Sequence, residues 1–365
     1  MQLPVSNGID DTAVINTALG SASEVVGLPG ETYRISAPLG LRYSRTHLSM
    51  ESCGVDLLGG SDCNMVKNVS GSVLTDVTIS GGTWNRGSNG GVGNDNHSLF
   101  LRGFKRLTVR DLRVTSAGGK YAVAIGATEG AQVTNLSFDT ASDGVHITGP
   151  ARDVVIRDVR GRTSDDMVAF TGRDYVHYDD VHGDITGAVV EGVFPDGSLA
   201  ALKVVSGDGA RVSGLSASRI YGTTQIRPIS IQADQTGPTV ADGITLADLD
   251  VQATDPDWAI IWLRGVTSTD IEIRDVRVRR LITGRQMVMI DQNGRIGSLS
   301  LDNWIIGPDA GGPADIVGLY GSMHLGTLRI CRVRHPVSWS GIPYRRGGTS
   351  VADSVSVSDV TVVNY

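Results

Sequence analysis

The chain has 365 residues, 47 of them glycine, and a formal charge of −7 at pH 7. With 40% hydrophobic residues it is too apolar for a disordered chain, and it is too rich in glycine for a helical bundle, because each interior glycine weakens a helix. The acidic balance argues against a nucleic-acid-binding surface, which needs an excess of basic residues.

Targeting and redox signals are sparse. Three cysteines are too few for a disulfide scaffold, so free thiols are the simpler interpretation, although Cys53 and Cys63 could pair. No stretch approaches the roughly 20 apolar residues of a membrane span. The N-terminus has neither the basic nor the apolar region of a signal peptide, so we expect no membrane insertion and no secretion signal.

The first predicted element is a helix over residues 10–19. Asp10 or Asp11 is expected to cap its N-terminus. One apolar face is predicted to consist of Val14, Ile15, Ala18 and Leu19. A short amphipathic helix in this position suits a cap over the open end of a repeat fold.

Beyond the helix, segments that alternate apolar and polar residues recur with a mean period of about 28 residues. Many contain Asp followed by Val or Leu, and Gly, Asn, Asp and Ser fill the breaks between them. These segments begin at Val77, Leu107, Val133, Val154, Val181, Val212, Ile244, Ile271, Leu299, Leu328 and Val355. The period-2 alternation predicts strands.

A second row of short strands lies between these segments. Each strand has two apolar residues, which we expect to point inward, around a variable residue that points outward. The row starts at Leu99, Val123, Val145, Val168, Leu202, Ile229, Ile261 and Val288. Two or three strands per repeat, stacked many times, predict a parallel β-helix; an up-and-down barrel would need hairpins at about 10-residue spacing.

Two N-terminal segments resemble a known group. Gly-Ile-Asp-Asp-Thr-Ala-Val-Ile at 8–15 and Leu-Pro-Gly-Glu-Thr-Tyr-Arg-Ile-Ser at 28–36 are similar to the N-terminal signature of the pectate-lyase-like right-handed β-helix superfamily, which includes polygalacturonase-type glycoside hydrolases and bacteriophage tailspikes. The resemblance implies an all-β, single-stranded right-handed parallel β-helix (solenoid) of about 10–12 coils with a short N-terminal capping helix. We predict an N-terminal cap over 1–40, the β-helix over 41–340 and a last coil or C-terminal cap over 341–365.

Aligning the second row of strands by their inward residues predicts two outward columns. The first contains Phe100, Ala124, His146, Ala169, Lys203, Ser230, Trp262 and Met289. The second contains His97, Tyr121, Asp143, Asp166, Ala200, Arg227 and Ala259. Because coils stack about 4.8 Å apart, Asp143 and Asp166 should be neighbours, with Asp165 beside them.

Three carboxylates this close cannot all ionise easily, so at least one pKa should rise, as a general acid requires. The segments Ser142-Asp143-Gly144 and Ser164-Asp165-Asp166 are similar to the Asn-Thr-Asp-Gly and Asp-Asp elements of polygalacturonases. The resemblance implies an inverting glycoside hydrolase with Asp166 as general acid and Asp143 and Asp165 activating water; a lyase is a weaker alternative.

Other parts of the polygalacturonase pattern are missing. The coil expected to carry Gly-His-Gly contains Ala-Ala-Leu-Lys at 200–203, and the Arg-Ile-Lys element has no clean match, although Arg227 lies near its coil. A working site would therefore be expected to take a substrate other than the usual uronate polymer. We predict no cofactor, no metal site and no Ser/His/Asp triad.

Six further residues are candidate substrate-binding groups: His97, Tyr121, His146, Lys203, Arg227 and Trp262. Trp262 is the strongest candidate sugar platform, because an exposed tryptophan is costly without a partner; an oligomer contact is its alternative. His146 is expected to face outward, either in binding and proton transfer or as an exposed spectator.

Each aspartate singly also fits a turn residue that accepts backbone N–H groups. We assign that structural role to Asp111, Asp158 and Asp275, which belong to the repeated Asp-Val and Asp-Leu pairs.

Two functions remain as hypotheses. The first is a phage-tail protein that depolymerises a host surface or cell-wall polysaccharide, active outside the cell on the virion tail. The second is a non-catalytic minor tail or receptor-binding protein of a virion. By resemblance, both predict a homotrimer with possible contacts to other tail proteins and no nucleic-acid partner. A secreted bacterial protein whose signal has been removed is the alternative location.

Overall fold

A computed structural model describes residues 1–173, 178, 180–233, 237–255, 259–279, 286–307, 315–335, 342, 344–346 and 355–364, the last strand by its backbone alone. In this part of the chain nearly all regular structure is β, with one α-helix, α1 (Thr12–Leu19), and one 3-10 turn, Gly93–Asp95. That helix is eight residues long, too short to cross a membrane.

The strands of the first half follow in chain order. They are β1 (Glu24–Val26), β2 (Thr32–Ile35), β3 (Leu39–Leu41), β4 (His47–Ser49), β5 (Gly54–Leu57), β6 (Val66–Asn68), β7 (Leu74–Ser80), β8 (Thr83–Gly87), β9 (Leu99–Arg110), β10 (Arg113–Ser116), β11 (Val123–Glu129), β12 (Gln132–Thr140), β13 (Val145–Arg152), β14 (Val155–Thr163), β15 (Asp166–Thr171) and β16 (Ile185–Thr186).

The second half continues the same pattern. Its strands are β17 (Val189–Ser198), β18 (Ala200–Val205), β19 (Arg211–Ser213), β20 (Ser216–Thr224), β21 (Ile229–Gln232), β22 (Thr239–Asp242), β23 (Ile244–Ala253), β24 (Ile261–Arg264), β25 (Val266–Val278), β26 (Val288–Asp291), β27 (Arg295–Ile306), β28 (Val317–Leu319), β29 (Met323–Arg334), β30 (Tyr344–Arg346) and β31 (Val355–Asn364).

The strands pair in parallel with strands of the next coil rather than with their neighbours in sequence. For example, β14 pairs with β17, β17 with β20 and β20 with β23. The inward side chains of successive coils form one continuous apolar core that runs from Leu3 to Val333. This is the nearly all-β, parallel stacked architecture that the 28-residue period predicts.

The helix packs Ile15, Ala18 and Leu19 into the core, but Val14, predicted for the same face, is 36% exposed. Of the two aspartates predicted to cap the helix, Asp10 accepts the backbone N–H of Thr12 through Oδ1 at 2.9 Å, whereas Asp11 makes no side-chain cap. Instead, Oδ2 of Asp11 accepts the backbone N–H of Arg34 at 3.0 Å. The helix is thus tied to β2.

The repeated Asp-Val and Asp-Leu pairs mark a backbone corner. Asp158, Asp248 and Asp275 have φ of 53°, 54° and 58°, and the strand register places Asp248 opposite Asp275 in the next coil. Asp and Asn tolerate this left-handed conformation better than other residues with side chains. The structural role assigned to Asp158 and Asp275 therefore has a backbone cause; Asp111 has φ of 61°.

The end of the chain keeps the coil stacking where it is described. Strand β30 pairs in parallel with β28, and β31 pairs in parallel with β29. Most of the segment that we predicted to be the last coil or C-terminal cap, including residues 347–354, lies outside the described residues.

Candidate functional site

The outward column predicted from sequence is present in the register of the sheet. Residues 100, 124, 146, 169, 203, 230, 262 and 289 lie opposite one another in successive strands from β9 to β26. We call the outer side of this sheet the carboxylate face. It brings Asp143, Asp165 and Asp166 together, as the spacing predicts.

The three carboxylates form a compact cluster. One oxygen of each lies within 4.8 Å of the others. Asp143 and Asp166 are each 2% exposed, and the side chain of Asp165 is 32% exposed. Parallel pairing fixes the backbone beneath them, since the amide of Gly144 donates to the carbonyl of Asp166 at 2.9 Å. The cluster is therefore recessed below the surface of the carboxylate face.

Two lysines neutralise part of this charge. Nζ of Lys203 lies 3.1 Å from Oδ2 of Asp166, and Nζ of Lys120 lies 3.9 Å from Oδ2 of Asp165. Sequence analysis predicted Lys203 for substrate binding and did not identify Lys120. Three carboxylates against two ammonium groups leave one negative charge, which a single proton would cancel.

The electrostatics place that proton on the aspartates. Burial, together with Asp143 and Asp165, raises the pKa of Asp166 to about 7, although Lys203 acts in the opposite direction. Burial and the charge of Asp143 also raise the pKa of Asp165 above its usual value. Burial alone would lower the pKa of Lys203, but the three carboxylates together raise it. The cluster thus retains a proton near neutral pH while Lys203 stays charged.

His146 is buried within the site rather than exposed beside it. It is 2% exposed, which contradicts the exposed-spectator alternative. Its Nδ1 lies 2.6 Å from Oδ2 of Asp143, and its Nε2 lies 2.8 Å from Oγ1 of Thr171. The other oxygen of Asp143, Oδ1, is buried and has no hydrogen-bond partner among the described residues.

The predicted aromatic platforms on the N-terminal side are covered. His97 is fully buried and Tyr121 is 2% exposed. The ring of Tyr121 stacks on His97 at 4.9 Å and on His146 at 3.7 Å between centroids, and Tyr178 packs against the same stack. The expectation of open sugar-stacking surfaces is therefore wrong for these two residues, because both are buried and Tyr178 packs against them.

Trp262 is also not the exposed platform that the sequence suggested. It is 6% exposed, and the guanidinium carbons of Arg227 and Arg264 lie 4.2 and 5.1 Å from its ring centroid. Arg227 also donates to Oε1 of Gln232 at 3.0 Å. These cation–π contacts supply the partner that the tryptophan needs. By register, Trp262 lies two coils beyond Lys203.

A narrow cleft of about 370 Å³, including its part open to solvent, surrounds the cluster. Its lining includes Lys120, Thr171, Arg173 and Val205. Sequence analysis missed these four. Thr171 is the last residue of β15 and Arg173 lies two residues after it, so a search for polar residues at both ends of each second-row strand would have found them.

A larger groove of about 1400 Å³ lies elsewhere on the solenoid, next to β2, β5, β8 and β10. It is open and polar, and its lining includes Glu31, Asp56, Arg113 and Arg160. We place the candidate site in the smaller cleft because that is where buried carboxylates with raised pKa values converge.

The cluster offers oxygen atoms of the kind that bind Mg²⁺ or Ca²⁺. However, the ammonium group of Lys203 already occupies the position beside Asp166 where such a cation would compensate charge. The donor set therefore fits acid–base chemistry better than a metal site.

The sequence matches no protein-family model and no curated protein. Several solved structures match the fold. The chain is 11% identical to a family 28 exopolygalacturonase of Yersinia enterocolitica, with a TM-score of 0.56, covering 96% of this chain and 77% of that one. It is 12% identical to an N-terminal fragment of gene product 12 of bacteriophage Phi29, with a TM-score of 0.58, covering 93% and 64%.

A double mutant of the tailspike protein of E. coli bacteriophage HK620 is 10% identical, with a TM-score of 0.54 and coverage of 98% and 75%. Identities this low establish the fold alone. The chain shares the right-handed β-helix fold of these structures, as the N-terminal resemblance implied.

Proposed function

We propose that the protein hydrolyses glycosidic bonds of a polysaccharide at the cluster of Asp143, Asp165 and Asp166. The observation that carries this proposal is the buried Asp166 carboxyl, whose pKa is raised to about 7 beside two further carboxylates. Glycoside hydrolysis needs one carboxyl that donates a proton and another that activates water or attacks the sugar. This cluster can hold a protonated carboxyl and an ionised carboxylate at the same pH.

The roles follow from the surroundings of each carboxyl. Asp166 keeps its proton near neutral pH and donates it to the leaving oxygen. Asp143 is held by His146 through one oxygen, and its partnerless Oδ1 is available to a water molecule. Asp165, the most exposed of the three, stands beside Lys120 and assists that water.

The spacing bears on the stereochemical outcome. Inverting enzymes hold their two carboxyls roughly 6.5–9.5 Å apart, whereas retaining enzymes hold them at about 5–5.5 Å. Here one oxygen of each carboxyl lies within 4.8 Å of the others, which is closer than the inverting range, so the spacing does not argue for inversion, which rests on the resemblance to polygalacturonases alone. We retain inversion as the proposal, and NMR of the first-formed anomer tests it.

We propose a host surface polysaccharide as substrate and the tail of a virion as the setting. Supporting this is the fold shared with a bacteriophage tailspike and an exopolygalacturonase. We further propose a homotrimer, which light scattering at micromolar concentration tests; a monomer would contradict it.

The decisive experiment replaces Asp166 with Asn and measures new reducing ends from cell-wall or capsular polysaccharide. Asp158→Asn is the matched control, since it changes an aspartate at a backbone corner that does not line the cleft. Wild type and control should release reducing ends and Asp166→Asn should not. Equal activity of Asp166→Asn would overturn the assignment of the acid.

A glycan-binding protein of a virion without catalytic activity is the second candidate. The 2% exposure of Asp143 and Asp166 favours it, because a substrate must reach both groups. Binding of the polysaccharide without release of reducing ends by wild type would support this candidate and contradict hydrolysis.

A further inference from the structure

The cleft contains a hydrogen-bonded chain of hydroxyl, imidazole and carboxylate that glycosidic cleavage does not require. Oγ1 of Thr171 lies 2.8 Å from Nε2 of His146, and Nδ1 of His146 lies 2.6 Å from Oδ2 of Asp143. All three residues are at most 5% exposed. Sequence analysis predicted no such triad, because Thr171 lies in the coil after the one that carries Asp143 and His146.

The direction of the hydrogen bonds follows from the carboxylate. In the neutral imidazole, the hydrogen bond to the carboxyl oxygen of Asp143 places the proton on Nδ1 and leaves Nε2 as an acceptor. The Thr171 hydroxyl then donates to Nε2. Its other acceptor, the carbonyl of Ile147, is farther away at 3.4 Å. A hydroxyl that donates to an imidazole oriented by a carboxylate is the arrangement that activates a nucleophile.

We propose that Thr171 is the nucleophile of an esterase activity that removes small acyl groups, such as acetyl, from sugar hydroxyls. Oγ1 of Thr171 attacks the acyl carbon while its proton passes to Nε2 of His146. The C–O bond to the sugar breaks, and the sugar oxygen leaves with that proton. Water then attacks the acyl-threonine, gives a proton to His146 and releases the carboxylic acid, and the Thr171 hydroxyl recovers the proton.

The surroundings of Thr171 suit such a reaction. Lys203, which pairs with Asp166, and Arg173, which pairs with Asp208, line the same cleft, and positive charge near the reacting carbonyl favours the negative oxygen that develops in the tetrahedral intermediate. The 5% exposure of Thr171 restricts access to a short acyl group.

This activity goes beyond the proposed glycosidic cleavage and uses a different oxygen of the shared residue. Oδ2 of Asp143 orients His146, whereas water activation is assigned to Oδ1. The ester reaction needs no proton from Asp166. The two activities are therefore separable by product: a carboxylic acid in one case and a new reducing end in the other.

The test uses p-nitrophenyl acetate as the acyl donor, with rapid acid quenching and mass spectrometry of the peptide that contains Thr171. Wild type should release nitrophenol and carry one acetyl group on that peptide. Thr171→Val should lose hydrolysis by about 100-fold or more and carry no acetyl group. Thr171→Ser, which keeps a hydroxyl, should retain both signals.

Thr128→Val is the matched control, because Thr128 is also a buried strand threonine but its hydroxyl donates to the carbonyl of Phe104. It should behave as wild type. Absence of hydrolysis by wild type, acetylation elsewhere than on Thr171, or full activity of a folded Thr171→Val would each overturn the proposal. Reducing ends measured on the same samples report separately on glycosidic cleavage.

Discussion

Nζ of Lys203 lies 3.1 Å from Oδ2 of Asp166, and both side chains are largely withdrawn from water. The two residues come from adjacent coils, since Asp166 lies opposite Ala200 in the register of β15 and β18. The lysine therefore stabilises the ionised form of a carboxyl whose burial and neighbours favour the protonated form. The balance between these effects sets the pH range in which the cluster can act as an acid.

Lys203→Met should shift the pH dependence of glycan cleavage upward. Without the ammonium group, the pKa of Asp166 rises further, and the alkaline limb of the pH profile, which reports the general acid, should move up by about one unit or more. Lys67→Met is the control, because Lys67 pairs with Asp95 at the surface at 3.4 Å. An unchanged profile for Lys203→Met would show that the lysine does not control the acid.

Asp166 should also make stability depend on pH. Its pKa is raised from 3.8 to about 7 on folding, so the unfolded chain loses this proton first as the pH rises. The resulting decrease in the free energy of unfolding is absent below about pH 4, grows towards pH 7 and reaches about 4 kcal/mol above it.

Asp166→Asn removes this titration. The free energy of unfolding of the variant, relative to wild type, should therefore increase by up to about 4 kcal/mol between about pH 4 and pH 8. Urea denaturation at both pH values measures the difference. A constant difference between variant and wild type would contradict the raised pKa of Asp166.

Arg86 should be among the most sensitive positions for stability. Its side chain is fully buried and donates to the carbonyls of Cys63, Asn89, Gly90 and His97. Arg86→Met would leave these carbonyls without their donors, at a cost of about 3 kcal/mol or more.

Thermal denaturation tests this expectation, with Arg106→Met as the control. Arg106 pairs with Asp76 at the surface, where both side chains are well exposed, so its loss should change the free energy of unfolding by less than about 1 kcal/mol. Similar effects of the two substitutions would show that the burial of Arg86 does not determine its contribution to the free energy of unfolding.

Variants at Asp158, whose backbone is left-handed, should differ in stability according to how well each new residue tolerates that conformation. Because φ is 53° there, Asp158→Val should cost about 1–2 kcal/mol. Asp158→Asn and Asp158→Gly should stay within about 0.5 kcal/mol of wild type. Chemical denaturation of the three variants gives the comparison, and a neutral valine would contradict the assigned corner.

Sequence alone determined the architecture and the alignment of the coils. Period-2 alternation encodes which side chains point inward, and the repeat length encodes which strands stack, so the column from Phe100 to Met289 could be predicted residue by residue. The meeting of Asp143, Asp165 and Asp166 follows from the same alignment.

Only the tertiary structure decided how deeply these outward residues are buried. The step from Asp143 to Asp166 is 23 residues, whereas the step from Asp166 to Ala200 is 34, and Tyr178, which belongs to the longer step, packs against His97 and Tyr121. The alternation of apolar and polar residues predicts which side chains face the core and which face outward. It does not predict which other residues cover the outward side chains.

The fold likewise decided which residues the long side chains contact. Lys203 bridges one coil to Asp166, Arg227 lies against Trp262, and His146 links Asp143 to Thr171. Apart from the hydrogen bond between Asp143 and His146, which lies within one coil, these contacts join residues of different coils through rotamers that no sequence period specifies. The periodic backbone can therefore be predicted from the sequence, whereas the hydrogen bonds and ion pairs of the cleft depend on side-chain packing in three dimensions.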